Sequence, residues 1–249
     1  MSVTRSFDAA GRLGPILAAV ARRAAQRRLA RPLAALRAEV RPDLARRERV
    51  MAALGRPGVS VIAEVKRRSP SVGWLAADED AAARAALYAR AGADVVSVLT
   101  EQDHFAGSLD DLRGARRVGV PLLRKDFVLD EGMLLESLEH GASAVLLLAV
   151  VLPPARLAEL VAAARELGLF SLVEIHAPDE LPAALASAPD AVGVNARDLT
   201  TFEVDVGRVV ALLPELDGPQ LRVAESGLRD AESVRRVVAA GADAVLVGE

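Results

Sequence analysis

At 249 residues, 52% apolar and 26% charged, the chain is long enough to fill one large α/β domain and too apolar to be disordered. A formal charge of −3 argues against nucleic acid or an anionic membrane as the main partner, though it leaves room for a local basic pocket that takes a small anion. There is no cysteine, hence no disulfide framework, thiolate nucleophile or cysteine-based metal site, and the three histidines, His104, His140 and His176, show no ligand spacing. No metal is expected, and His176, directly after an expected strand, is expected at the surface.

In chain order, the stretch from Arg5 to Arg37 is rich in Arg and Ala and poor in acids, which superficially resembles a transit peptide. Leu13, Ile16, Leu17, Val20 and Ala24 nevertheless recur at helical spacing, with Pro15 near the helix start. The stretch is therefore expected to be an amphipathic helix packed on the domain. A second helical piece, Asp43 to Leu54, leads through Gly55, Pro57 and Gly58 into the first strand. The reading is one domain over 1–249, with 1–58 as a helical extension and 59–249 as the body.

Val61 to Gly73 is the stretch around which the rest is organised. Val61, Ile62, Ala63 and Val65 suit an interior parallel strand, whereas Glu64 and Lys66 lie one pleat apart and project to the same side. Pro70 cannot continue a ladder and restricts Ser69 before it, so the strand must stop where the polar residues gather.

From Ser60 onward one unit recurs: a short apolar strand, a polar strand end, a helix rich in Ala, Leu and Arg, and a turn into the next strand. Strands are expected at Val61 to Lys66, Val95 to Leu99, Leu122 to Lys125, Ala144 to Leu148, Ser171 to Ile175, Ala191 to Asn195, Leu221 to Glu225 and Ala244 to Val247. Gly92, Gly141 and Gly241 each stand where a left-handed residue would close the preceding helix. Eight βα units close into a (βα)8 TIM barrel. The open doubly wound sheet lacks its G-x-G-x-x-G after the first strand.

A barrel places its functional residues at the C-terminal ends of its strands. Those ends offer Glu64, Lys66 and Ser69, then Thr100 and Glu101, then Lys125, Asp126 and Phe127, then Glu174, then Asn195 and Arg197, and finally Glu225, Ser226, Gly227 and Gly248. Taken singly, Thr100, Asp126 and Asp198 read as surface ion pairs or helix caps. Lys66 and Lys125 are the sole lysines and Asn195 the sole asparagine, all at strand ends. Arginine fills every ordinary surface position here, but it cannot readily give up a proton, whereas a lysine can act as a general acid.

The segments I-A-E-V-K-R-R-S-P-S, S-V-L-T-E with F-A-G-S-L-D-D-L, P-L-L-R-K-D-F, L-V-E-I-H, G-V-N-A-R-D-L and V-A-E-S-G, in this order, resemble the indole-3-glycerol phosphate synthase family. The resemblance implies a (βα)8 barrel under an N-terminal helical extension. It also implies decarboxylating and dehydrating ring closure of 1-(2-carboxyphenylamino)-1-deoxyribulose 5-phosphate, with no cofactor. It marks Lys125 as the general acid, Lys66 as partner of the substrate carboxylate, Glu174 as general base and Glu64 as the partner of transient positive charge. Asn195 and Glu225 would orient substrate hydroxyls, Arg197 would support the charge pattern, and Phe105 and Phe127 would flank the aromatic ring. The phosphate would rest near Ser226, Gly227 and Gly248, with Ser69 and the cation Arg68.

The expected partner is a small phosphorylated substrate, with no nucleic acid and no membrane, and the expected setting is a cytoplasmic monomer. Two departures from the family pattern stand out: Ala196 replaces a second Asn, and the chain stops at Glu249 where relatives add a phosphate-facing segment and an eighth helix. On that basis the chain reads as truncated, with Ala244 to Val247 lacking an outer layer and open to self-association. A phosphoribosylanthranilate isomerase type of barrel and a non-catalytic barrel scaffold remain the alternatives.

Overall fold

The computed structural model describes residues 13–70, 72–77, 80–199, 201 and 203–248. Helix α1 (Leu13–Ala30) buries Leu13, Ile16, Leu17, Val20 and Ala24, the apolar stripe expected from its spacing. Helix α2 (Leu33–Glu39) follows Pro32 and was not expected, because seven residues are too few to establish a period. Helix α3 (Leu44–Leu54) begins after Asp43. Arg23 of α1 pairs with Asp103, Arg27 Nε lies 2.9 Å from Glu136 Oε1, and Arg28 reaches the same carboxylate. Farther on, Arg47 Nε donates to the buried Asp190 at 2.9 Å. Charge pairs as well as apolar contact therefore dock the extension on the barrel.

The body then runs β1 (Ser60–Val65), β2 (Arg68–Ser69), β3 (Gly73–Trp74), α4 (Ala81–Arg90), β4 (Val95–Leu99), α5 (Leu109–Ala115), β5 (Leu122–Lys125) and α6 (Glu131–Glu139). It continues with β6 (Ala144–Leu148), α7 (Pro154–Leu167), β7 (Phe170–Ile175), α8 (Leu181–Ala186), β8 (Ala191–Asn195), α9 (Val206–Leu212), β9 (Leu221–Glu225), α10 (Ala231–Ala239) and β10 (Ala244–Val247). Eight of these strands close in the order β1-β10-β9-β8-β7-β6-β5-β4. All eight pairings are parallel. This is the (βα)8 barrel, with the strand limits expected from sequence to within one residue. Gly92, Gly141 and Gly241 adopt φ of 97°, 99° and 101°, the left-handed region where a Cβ is penalised.

One local element was not foreseen. β1 ends at Val65, ahead of Pro70, and Arg68 and Ser69 then pair with Trp74 and Gly73 in the short β2/β3 hairpin, whose Ser69 lines the barrel mouth.

Alternation along β5 separates two environments. Lys125 turns into the barrel, while Arg124, 1% exposed, turns outward under α6 and bonds Thr100 Oγ1 at 3.0 Å, Met133 O at 2.9 Å and Asp126 Oδ2 at 2.8 Å. Thr100 also donates to Asp126 at 2.6 Å. The surface reading of Thr100 and Asp126 is thus corrected, since both belong to a buried network that exists because Arg124 needs partners away from water. Asp198 stays near the surface, 3.9 Å from Arg208.

The expected bareness of the last strand is corrected only in part. Ala244, Val245 and Leu246 are buried, Leu246 because alternation turns it inward to the site, and only Val247 is half-buried beside an open groove it shares with Val61, Ala63 and Tyr88. Glu249, on which the truncation reading turned, lies outside the described residues. Among the described residues no helix is long and apolar enough to cross a membrane.

Helix α6 carries a side-chain cap in which Asp130 accepts from Met133 N at 2.8 Å. Asp130→Ala is expected to cost about 1 kcal/mol of stability, read as a lower urea midpoint at unchanged slope.

Candidate active site

The C-terminal strand ends surround a cavity of about 150 Å³. Of the residues expected there, Glu64, Lys66, Ser69, Phe105, Lys125 and Phe127 line it. Glu174, Asn195, Arg197, Ser226, Gly227 and Gly248 line it as well. Two expected residues stand apart. Arg68 is half-buried against Trp74, its guanidinium 5.6 Å from the ring centroid, and does not line the cavity. Glu225, 1% exposed, sits beneath the lining residues and meets Lys125 from below.

Charge is concentrated at the floor. Lys66 Nζ lies 2.8 Å from Glu64 Oε1, as their one-pleat spacing foretold. Lys125 Nζ stands among three carboxylates, 2.9 Å from Glu225 Oε2, 3.3 Å from Glu174 Oε2 and 3.8 Å from Glu64 Oε2. Burial alone would pull the Lys125 ammonium down, but Glu225, Glu174 and Glu64 together raise it well above the ordinary lysine value. Burial pushes Glu174 up, yet Lys125, His176 and Asn195 hold it below the usual carboxylate range. Burial pushes Glu225 up and Glu174 adds to that, so despite Lys125 its carboxyl rises to about 8.

Asn195 donates to Glu174 Oε1 at 3.0 Å, and its own oxygen accepts from Arg197 N at 2.9 Å, which fixes the amide's orientation. Phe105 and Phe127 face one another with centroids 6.4 Å apart at 45°. The loop bearing Phe105 is held by the buried Glu101, which accepts from the N–H groups of Asp103 at 3.0 Å, His104 at 2.7 Å and Phe105 at 3.0 Å.

At the far rim, Ser226 and Gly227 both take left-handed backbone, φ 68° and 72°. Both residues line the cavity, and a left-handed φ is uncommon for Ser226, which carries a Cβ. Gly248 is required by proximity, since a Cβ there would lie 2.7 Å from Glu64 Cβ and 2.9 Å from Glu64 Oε1. Gly248→Ala is therefore expected to push the Glu64 side chain off Lys66 and lower kcat/KM about tenfold, equivalent to roughly 1.4 kcal/mol, with folding retained.

Sequence reasoning missed His176, which is 6% exposed rather than at the surface. Its Nε2 lies 2.9 Å from Glu174 Oε1 and its Nδ1 3.7 Å from Glu180 Oε2. The signal was present, because Glu174 and His176 are one pleat apart in the same way as Glu64 and Lys66. It was lost because the strand was expected to release its chain to solvent at Ile175, whereas the short 3-10 turn Pro178–Glu180 folds back over His176.

The family model described as Indole-3-glycerol phosphate synthase matches residues 13–249. Among curated proteins, the indole-3-glycerol phosphate synthase of Parafrankia sp. (strain EAN1pec) is 50% identical over 200 residues, covering 80% of this chain and 75% of that one. Its counterpart in Mycobacterium avium (strain 104) is 46% identical over 201 residues, covering 80% and 74%. Among solved structures, the N-acetylmannosamine-6-phosphate 2-epimerase from Clostridium perfringens aligns with a TM-score of 0.59 at 16% identity, over 76% of this chain and 86% of that one. At that identity the likeness concerns the fold alone. The family model spans both the helical extension and every strand that supplies the charged floor, so the chain belongs to the indole-3-glycerol phosphate synthase family.

Proposed function

We propose that the cavity closes the indole ring of 1-(2-carboxyphenylamino)-1-deoxyribulose 5-phosphate, releasing carbon dioxide and water to give indole-3-glycerol phosphate. One observation carries the reading: the half-buried ammonium of Lys125, held among three carboxylates in a cavity that Phe105, Phe127 and several leucines also line. The ring carbon bearing the carboxylate attacks the ribulose carbonyl carbon, and the carbonyl oxygen takes a proton from the Lys125 ammonium. The surrounding carboxylates keep that ammonium protonated at neutral pH, so the acid form is always at hand. Carbon dioxide then leaves from the same ring carbon.

Dehydration follows. The ring nitrogen drives out the new hydroxyl, which leaves as water on taking a second proton from a lysine ammonium of the site, and a carboxylate removes the carbon-bound proton whose loss completes the aromatic indole. Glu174 suits that base, because Asn195 and Lys125 orient it and keep it ionised, while Glu64 faces the transient positive charge. Lys66, at 2.8 Å from Glu64, suits the substrate carboxylate. Phe105 and Phe127 form the slot for the aromatic ring, and the left-handed pair Ser226 and Gly227 with Gly248 and Ser69 suits the phosphate. Arg68 would reach the phosphate from the hairpin, and Glu225 would act through Lys125 rather than on a substrate hydroxyl. Arg197 would add positive charge beside Asn195. The reading is of a cytoplasmic monomer acting on one small phosphorylated substrate. Mixing the protein with the carboxyphenylamino deoxyribulose phosphate should give a rise in indole fluorescence, and its absence would overturn the reading.

A further inference from the structure

We propose that His176, held by Glu180, is a positioning residue whose imidazolium keeps Glu174 as the ionised member of the Glu174 and Glu225 carboxyl pair. The inference rests on the reading of Glu174 as the base.

The geometry sets the charge state of the imidazole. His176 and Glu180 are 6% and 5% exposed, so neither charge is stabilised by bulk water. The two ring nitrogens face two different carboxylates, Nε2 toward Glu174 at 2.9 Å and Nδ1 toward Glu180 at 3.7 Å. A neutral imidazole has one N–H and one lone pair, and would have to turn the lone pair on one of the two anions. The imidazolium carries N–H on both nitrogens and suits both. Glu180 Oε2 additionally accepts from the backbone N–H of His176 at 3.0 Å, which fixes the carboxylate beside the ring. The contacts to the ring are ionic rather than well-aligned hydrogen bonds, so charge, more than direction, is what they transmit.

The asymmetry between the two acids on Lys125 follows. Glu174 has Lys125 from β5 on one oxygen, and His176 from the end of its own strand with Asn195 from β8 on the other. Among the described residues, Glu225, from β9, has Lys125 as its cationic partner, and its Oε1 is buried with no hydrogen-bond partner. A proton shared by these neighbours therefore resides on Glu225, and Glu174 is left free to accept one. The directions of titration agree: burial lowers the His176 ring, but Glu174 and Glu180 outweigh it and raise it to about 9, while Glu174 is lowered and Glu225 raised.

The chain has three histidines, so 15N-histidine labelling reads His176 directly. At pH 8, well above the ordinary histidine value near 6.5, one ring should still show the shifts of an imidazolium, and His176→Gln should remove that signal. A wholly neutral set of rings at pH 8 would overturn the proposal. In kinetics, His176→Gln should lower kcat about tenfold with KM within about threefold. The acid limb of the kcat profile should move to higher pH, because loss of the cation lets Glu174 take up a proton sooner. Glu180→Gln should move the same limb in the same direction by less, and lower the midpoint of His176. That variant decides the matter should His176→Gln fail to fold. If kcat and the acid limb are unchanged in folded variants while Glu174→Gln is inactive, this inference alone fails. If Glu174→Gln is itself active, the base reading fails and this inference falls with it.

Discussion

Lys125→Arg should lower kcat at least about a thousandfold while circular dichroism and the melting temperature stay close to those of the parent. Arginine preserves the positive charge, so Glu225, Glu174 and Glu64 remain paired and the buried floor keeps its electrostatic balance. Chemistry is what the substitution removes. A guanidinium spreads its charge over a planar fork instead of presenting a compact ammonium, which makes it a poor donor to a carbonyl oxygen. Stopped-flow indole fluorescence and a urea titration on the same sample separate loss of catalysis from loss of fold. A variant that keeps more than about a tenth of the parent's kcat, a barrier change under roughly 1.4 kcal/mol, would show that Lys125 is not the acid.

The second large effect concerns Glu174. Glu174→Gln keeps the side chain's size and still offers an oxygen to Asn195, but it cannot accept a proton at working pH. A fall in kcat of about 10² or more is expected, with KM nearly unchanged. The fold should tolerate the change, because Lys125 keeps Glu225 at 2.9 Å, and removing the neighbouring negative charge lets Glu225 ionise at lower pH. The pH profile is part of the test. In the parent, Glu174 lies below the usual carboxylate range, so its activity as a base should persist down to acidic pH and disappear only as pH falls through that lowered value. A variant in which KM alone rises would make Glu174 a binding residue.

Much of this was legible in the linear chain, for reasons that can be named. Strand limits were readable because interior parallel strands are short apolar runs between glycine turns, and the parallel pairing left each run no other period. The side-by-side placement of Glu64 and Lys66 needed only the two-residue alternation of a strand. The placing of Lys125 at the floor needed only that strand ends meet at one face of a barrel.

What the sequence could not reveal was decided by contacts between segments far apart in the chain. Asp126 and Thr100 read as surface groups until α6 closed over Arg124, and a residue's burial depends on what is laid on top of it. That Glu225 lies 2.9 Å from Lys125, a hundred residues away in sequence, was settled only when the barrel closed. His176 read as exposed until the turn carrying Glu180 folded over it. By itself the sequence determined the repeat, the barrel and the residue types that converge at its mouth, because these follow from local alternation and from turns a few residues long. Only the tertiary structure decided which of the converging charges are neighbours, which are buried, and so which hold their protons, because each depends on distance and on water removed by distant parts of the chain.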